Sequence, residues 1–485
     1  MKKIFAILMT ICLLAGALSI TAFAAEAPAE GVVMRVSGVE QTSQNAFTTT
    51  FLQDFDNFQD GWNYAMEVAG DEDVMEENKF DRVLVEIYAD WSANKDGEFT
   101  EEIWNGDGFD NDTIYIPRGA KVTLNLNGHT IDRHLKATEG DGEVICINDD
   151  ADVIIENGTI TGGKGGDGAG GIHVEEDVTL TLNNVHIVGN ISDYDGGAIE
   201  LGEGSTLTMT GGSFKNNGAA RRGAAIFVDN ATATFEGVEF KDNYSRGVVQ
   251  GAAFYALDSD VVVKNCTFDG NGVLKDDLYS HDVIECWGGT LAITGSTFTN
   301  NGYKLYNEIF NARESAVILL DDTPLVVEDC EFSGNLTYFI IRDHDDSSIQ
   351  VTNTKFTNNS SGVFCGEGGT SDDSYFEQCT FSNNPAYGEF KTFYKISSRL
   401  TFKNCSWGDS TYTDKDFANF AFISTAAPGA NARRFASIFG EGSLTMIVAL
   451  LALISSGVAI FLTVYYNKKK TAPVAADTKE AEEEE

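Results

Sequence analysis

Positive charge is what this sequence has least of. Lys and Arg total 33 against 74 Asp and Glu, a net charge of −41. A surface that acidic repels nucleic acid and anionic lipid, so neither is an expected partner. Divalent cations and neutral or basic ligands remain compatible. Histidine is scarce too: six residues, scattered at no ligand spacing. No phosphate-cradling loop follows a strand and opens a helix. Cysteine is equally unhelpful to a disulfide scaffold, because the eight residues fall to seven, an odd number, once the leader is removed.

Long apolar runs are few, and both that stand out read as targeting segments. Residues 1–24 form a secretory signal, with Lys2 and Lys3, an apolar stretch from Ile4 to Leu18, and the small pair Ala22 and Ala24 before the cut. Residues 444–466 carry no charge and can cross a ~30 Å hydrocarbon layer. Tyr465 and Tyr466 then sit at the interface, and Lys468, Lys469 and Lys470 mark the cytoplasmic side. No LPxTG sortase motif precedes the run. The expectation is a single-pass cell-membrane protein, outside at its N-terminus, with an acidic cytoplasmic tail over 467–485. Leader, lysines and tail cancel in charge, so the outer part also carries −41.

Between these segments the chain repeats. Val122–Ile131, Val153–Ile160, Leu180–Ile187, Leu207–Phe214 and Thr234–Phe240 open a series that ends at Leu400–Trp407, eleven copies whose closing apolar residues lie 24 to 34 residues apart. Each copy alternates apolar and polar residues, the period of a strand with one buried face. From the third copy an asparagine usually stands three residues beyond the close: Asn190, Asn217, Asn243, Asn271, Asn301, Asn335, Asn359 and Asn384. Asparagine tolerates the left-handed backbone of a sharp turn, and its amide can bond the same residue one coil away. A second short strand follows at Gly196–Ile199, Gly223–Ile226, Gly251–Phe254 and Asp282–Ile284. Strand, Asn turn, Gly-rich bend, strand and acidic turn make one coil of an all-β, right-handed parallel β-helix of about 11 coils. At the ~4.8 Å strand spacing the stack is roughly 50 Å long.

The expected divisions are an N-terminal cap region over 25–112, the β-helix over 113–410, and a C-terminal cap and linker over 411–443. Phe58–Ala69 reads as an amphipathic helix of the cap, followed by a strand at Val83–Tyr88. Cys266, Cys330, Cys379 and Cys405 fall two residues before a closing aromatic, as small buried core residues. Only Cys379 and Cys405 lie in adjacent coils, where a disulfide could fit.

Phe214 with Asn217, Phe240 with Asn243, and Gly196-Gly-Ala-Ile199 resemble the FxxN and GGAI repeats of the polymorphic outer-membrane proteins of chlamydiae. The chain also resembles the wider pectate-lyase-like superfamily and bacterial surface proteins opening with an LNLNGHTI coil, here Leu124–Ile131. The resemblance covers about 113–410 and implies a β-helix and, by fold analogy alone, adhesion. The chlamydial proteins end in a β-barrel and this chain in one apolar run, so their export route is not implied.

Enzymatic motifs are sparse. Galacturonan hydrolases of that superfamily use an Arg-x-Lys that is absent here, and Gly128-His129 is followed by Thr130. The outward Glu200 and Glu285 lie three coils apart, about 14 Å, too far for a glycosidase pair. No catalytic residues are assigned. Acidic turns recur, with Asp343, Asp345 and Asp346 the candidate ligands of a Ca2+ ion, though Asp is also an ordinary turn residue. Candidate ligand-binding residues are the aromatics of two longer loops, Tyr279, Tyr303, Tyr306 and Phe310 with Arg313, extended by Phe227, Tyr255 and Trp287. The reading is a membrane-anchored adhesin or glycan-binding module for an extracellular polysaccharide or host-surface ligand. A polysaccharide lyase or other carbohydrate-active enzyme comes second, and a structural spacer third.

Overall fold

The computed structural model describes residues 28–43, 46–93, 113–135, 142–246, 250–273, 282–302, 315–360, 362–367, 374–384, 393–394, 400–408 and 410–412. The expected signal at 1–24, membrane helix at 444–466 and tail at 467–485 lie outside them. Among the described residues no helix is long and apolar enough to cross a membrane.

The repeat folds as a mostly-β solenoid of about nine turns behind a small α/β region. Among the described residues three faces run along it, parallel within the coils: a 25-stranded sheet, an 11-stranded sheet and a 5-stranded sheet. One coil shows the path. Thr206–Thr210 and Ser213–Lys215 lie in the first sheet, Gly218–Ala219 in the third and Ile226–Asp229 in the second. The expected eleven coils thus become about nine turns, and the two end copies adjoin other strands. The first pairs with cap strands, and the last is covered by the antiparallel strand Ser410–Tyr412.

Alternation decides the core. Leu207, Met209, Phe214, Ile226 and Val228 point inward and are fully buried. Phe214, Phe240, Phe268, Phe298, Phe332, Phe356 and Phe381 form a column of stacked rings with centroids 4.4–5.3 Å apart. Truncating one such ring costs about 3–5 kcal/mol, through lost burial and the cavity left behind.

The asparagines form the expected ladder, but they are not the left-handed residues. That conformation belongs to the residue before each: Gly189, Asn216, Asp242, Gly270, Asn300, Gly334, Asn358 and Asn383. The ladder asparagines are themselves buried. Nδ2 of Asn271 donates to Oδ1 of Asn301 at 3.0 Å and to the Phe240 carbonyl at 2.9 Å. Its backbone N–H also donates to Asn301 Oδ1. The pattern repeats from Asn190 to Asn384. The Gly-Gly bend has a steric reason as well. Gly196, Gly223 and Gly251 have positive φ, and a Cβ on Gly197 would stand 2.1 Å from the Ala224 carbonyl oxygen.

The acidic turns hold a third left-handed column: Asp150, Asp177, Gly204, Asn230, Asp258, Gly288, Asp322 and Asp346. Asp recurs there among Gly and Asn, the residue types that this backbone conformation favours.

In the cap, β1 (Met34–Ser43) and β2 (Ala46–Phe55) form a hairpin, α1 (Phe58–Gly70) and α2 (Glu72–Asn78) follow, and β3 (Arg82–Ile87) pairs antiparallel with β1 and parallel with Lys121–Asn125. The expected helix is α1, burying Trp62, Ala65, Met66 and Ala69. Trp62 Nε1 donates to the Tyr115 carbonyl at 3.0 Å, tying the helix to the first coil. The hairpin was not anticipated, because its Thr-rich second strand has little apolar alternation.

All seven cysteines of the described residues are buried, and none is in a disulfide. Cys379 and Cys405 form no disulfide, and each turns its Sγ toward backbone carbonyls, Val351 O at 3.6 Å and Phe376 O at 3.3 Å. Burial raises the Cys266 and Cys330 thiols to about 11. Native protein at pH 8 is therefore expected to leave these seven unmodified by an alkylating reagent, while denatured protein labels all of them. Peptide mass spectrometry checks this, and rapid native labelling of Cys266 or Cys330 would contradict it.

Candidate functional site

In the 11-stranded sheet, the outward residues of successive strands stack in one column. His173, Glu200, Phe227, Tyr255, Glu285, Leu319 and Arg342 are register partners in that order. Glu200 and Glu285 are thus three strands apart and form no pair.

The lower part of the column is sealed. His173 lies between Glu175 at 3.3 Å and Glu200 at 3.5 Å. Burial opposes its protonation, but the two carboxylates outweigh it and lift the imidazole to about 10. Gly168 packs over the ring so closely that a Cβ there would stand 2.9 Å from Nδ1. Phe227 and Tyr255 face outward yet are buried, at 2 % and 5 % exposure. Arg222 lies over both rings, 4.0 and 5.6 Å from their centroids, and its guanidinium donates to the buried Asp195 at 2.6 Å. The expectation that these two rings extend an open aromatic patch is corrected: they form the floor under an arginine roof.

The upper part is chemically richer. Glu285 is 2 % exposed. Its Oε1 accepts from Trp287 Nε1 at 2.7 Å, while its Oε2 is buried with no hydrogen-bond partner among the described residues. Burial, helped by Asp282, pushes this carboxyl well above the usual carboxylate range; Arg342 only partly opposes it. Trp287, two residues on and half-buried, shares the outward face, and its register partner is Asp321. Nδ1 of His344 lies 2.6 Å from Asp321, and the His344 ring is 6.0 Å from that of Trp287. Arg342 donates to Glu367 at 2.9 Å. Six polar or aromatic groups therefore converge over a few turns: Glu285, Trp287, Asp321, Arg342, His344 and Glu367.

The expected cation ligands do not converge. Asp343 occupies an inward position level with Cys286 and Leu320 and is fully buried, whereas Asp345 and Asp346 are exposed. Among the described residues no three His, Cys, Asp or Glu side chains are placed to hold a metal ion. Tyr279, Tyr303, Tyr306, Phe310 and Arg313 lie outside the described residues.

Sequence reasoning saw Glu285 and Trp287 separately. Spacing i, i+2 within one strand puts two side chains on the same face, and that signal in Glu285-Cys286-Trp287 could have joined them. The Arg222 roof and the Glu367 partner carry no comparable local signal.

No curated protein matches the chain by sequence. Among solved structures, PfbA, a surface adhesin of Streptococcus pneumoniae, overlays with a TM-score of 0.32 at 11 % identity, over 72 % of this chain and 85 % of that one. The family model described as a right-handed β-helix region matches residues 112–275 and 224–406. With its three parallel faces and buried asparagine ladder, the chain belongs to the right-handed β-helix family.

Proposed function

We propose that the chain is a cell-surface glycan-binding protein, an adhesin carried on a membrane tether, with its binding face built around Trp287 and Glu285. Export by residues 1–24 and anchoring by 444–466 complete this reading. The observation that carries it is the outward, half-buried Trp287, its indole Nε1 held by Glu285 at 2.7 Å with the His344 ring 6.0 Å away. An indole face and a few polar atoms are how proteins hold sugar rings. The charge of −41 favours neutral or amino sugars over acidic polymers. Tyr279, Tyr303, Tyr306, Phe310 and Arg313, in the sequence segments just before Ile284–Trp287 and Ala316–Asp321, stay in the proposal as candidate ligand contacts.

The test is binding of the purified chain to a glycan array, followed by calorimetry. Trp287→Ala should weaken affinity about 10- to 100-fold, the loss of one stacking platform. Unchanged affinity in that variant, or no glycan bound at all, would sink the proposal.

A second reading, carbohydrate hydrolysis, is favoured by one observation. Glu285 holds its proton strongly, and Asp321 stands on the neighbouring strand of the same face. Glu285→Gln separates the two readings. It keeps the acceptor for Trp287 and should preserve binding, but it would abolish release of short oligosaccharides if the protein cleaves them.

A further inference from the structure

The outermost strand of the cap, β2, is paired on one side only. Among the described residues its single partner strand is β1, which in turn pairs with β3 and, through it, with the first coil. The other edge of β2 leaves alternate backbone N–H and C=O groups without strand partners. Among the described residues nothing covers it: Thr48, Thr49 and Thr50 are exposed, and Phe51, at 58 %, is the most exposed large apolar residue.

Free edges are ordinarily blunted by lysine, proline, inward charge, a β-bulge or a covering element; the bulge of β2 falls at Leu52, outside Phe47–Phe51. Ala46–Phe55 contains no Lys, Arg or Pro, and its one charged residue, Asp54, is bound to Arg35 at 2.7 Å. In a chain of −41, β2 is thus a nearly neutral strand of β-branched and aromatic residues. Its sequence is also self-complementary. Phe47-Thr48-Thr49-Thr50-Phe51 reads identically in both directions about Thr49. An antiparallel copy with its twofold axis at Thr49 places Phe47 of one chain opposite Phe51 of the other, and Thr48 opposite Thr50. Both kinds of cross-strand pair stabilise sheets.

We propose that the occupant of this edge is a second copy of the chain, held by isologous antiparallel pairing of β2 about Thr49. The 25-stranded sheet then continues through the twofold axis into the partner. Because β2 ends the stack on its N-terminal side, the two solenoids extend in opposite directions from the junction. Resting on the reading of a C-terminal membrane tether, this makes the contact one between opposed surfaces, a homophilic adhesion in which chain binds chain.

Sedimentation of the full-length chain in mild detergent tests the pairing. The mean mass should rise toward a dimer between about 1 and 100 µM, as expected for a small interface. Two highly acidic chains repel at long range, so added salt should strengthen the association. Thr49→Lys should weaken it at least about 10-fold, and Thr49→Val, which keeps the β-branch, should retain it. A chain that stays monomeric at the highest concentration, a dimer indifferent to Thr49→Lys, or a monomer that instead takes up a free Phe-Thr-Thr-Thr-Phe peptide would each overturn the proposal. Beads carrying the chain by its C-terminal end should cluster with the natural sequence and with Trp287→Ala, but not with Thr49→Lys. Solution dimers without bead clustering would overturn the opposed-surface arrangement. Glycan binding, scored separately with Trp287→Ala, is independent of either outcome.

Discussion

Asn301→Ala should destabilise the solenoid by about 3–5 kcal/mol, among the largest effects of any single polar substitution in it. The side chain removed is the middle of the ladder. Its Oδ1 accepts the backbone N–H of Asn271 and the Nδ2 of Asn271. Its Nδ2 donates to the Phe268 carbonyl and to Asn335 Oδ1, both at 2.9 Å. Alanine leaves the Asn271 N–H and the Phe268 carbonyl without these bonds at a site that is fully buried, and each orphan costs about 1–3 kcal/mol. Asn301→Asp is the informative control. It keeps the acceptor for Asn271 but turns a second carboxyl oxygen toward two existing acceptors, so it should also be destabilising, and increasingly so as the carboxyl ionises. Denaturant midpoints at two pH values measure both variants. A loss below about 1 kcal/mol for the alanine variant would mean that water replaces the amide and the ladder is ornamental.

Asp343→Asn should do the opposite at alkaline pH, stabilising the protein by about 2–4 kcal/mol at pH 8 while changing little at pH 4. Asp343 points into the core at 0 % exposure. Burial raises its carboxyl to about 7, against the opposing bonds from Ser347; Asp346 and Asp345 add to the rise. Its Oδ1 accepts from Ser347 N at 3.2 Å, and its Oδ2 is buried without a partner among the described residues. A folded-state pKa above the ordinary 3.8 means that the folded chain binds the proton more tightly than the unfolded one. Stability then falls as pH rises from about 4 to about 7, and levels off above, where both states are ionised. Asparagine removes that slope. Thermal midpoints of both proteins across pH 4 to 8 decide it, and parallel curves would show that Asp343 ionises at its ordinary pKa.

Why Asp343 was legible only as a turn residue is instructive. Reading outward from Ile341, alternation does place residue 343 inward, but the run Arg342-Asp343-His344-Asp345-Asp346 has the composition of a solvated turn. The strand instead continues to Asp345 and bulges, pairing Leu320 with Asp343 and Asp321 with Asp345. A bulge shifts the facing of everything beyond it and leaves no mark in a binary pattern. The closing phenylalanines, the asparagine column and the cap helix were legible because each is fixed by a short period repeated many times. The left-handed position was missed by one residue for a related reason. Asn, Asp and Gly occupy it interchangeably, whereas the buried asparagine beside it is the uniform one. Of the candidate site, the strand-borne Glu285 and Trp287 could be placed on a face. The arginine that closes over Phe227 and Tyr255 could not, since a long side chain folding back across two coils follows no sequence period.

Each rung of the ladder offers its neighbour the same donors and the same acceptor, whether the next asparagine comes 24, 28 or 34 residues later. The joint between coils is thus indifferent to which coils it joins. Excising one whole coil from the middle, asparagine to asparagine, leaves matching ends, with the cap and the closing strand undisturbed. Such a gene can change the reach of its product in steps of one strand spacing, about 4.8 Å each, without designing a new interface.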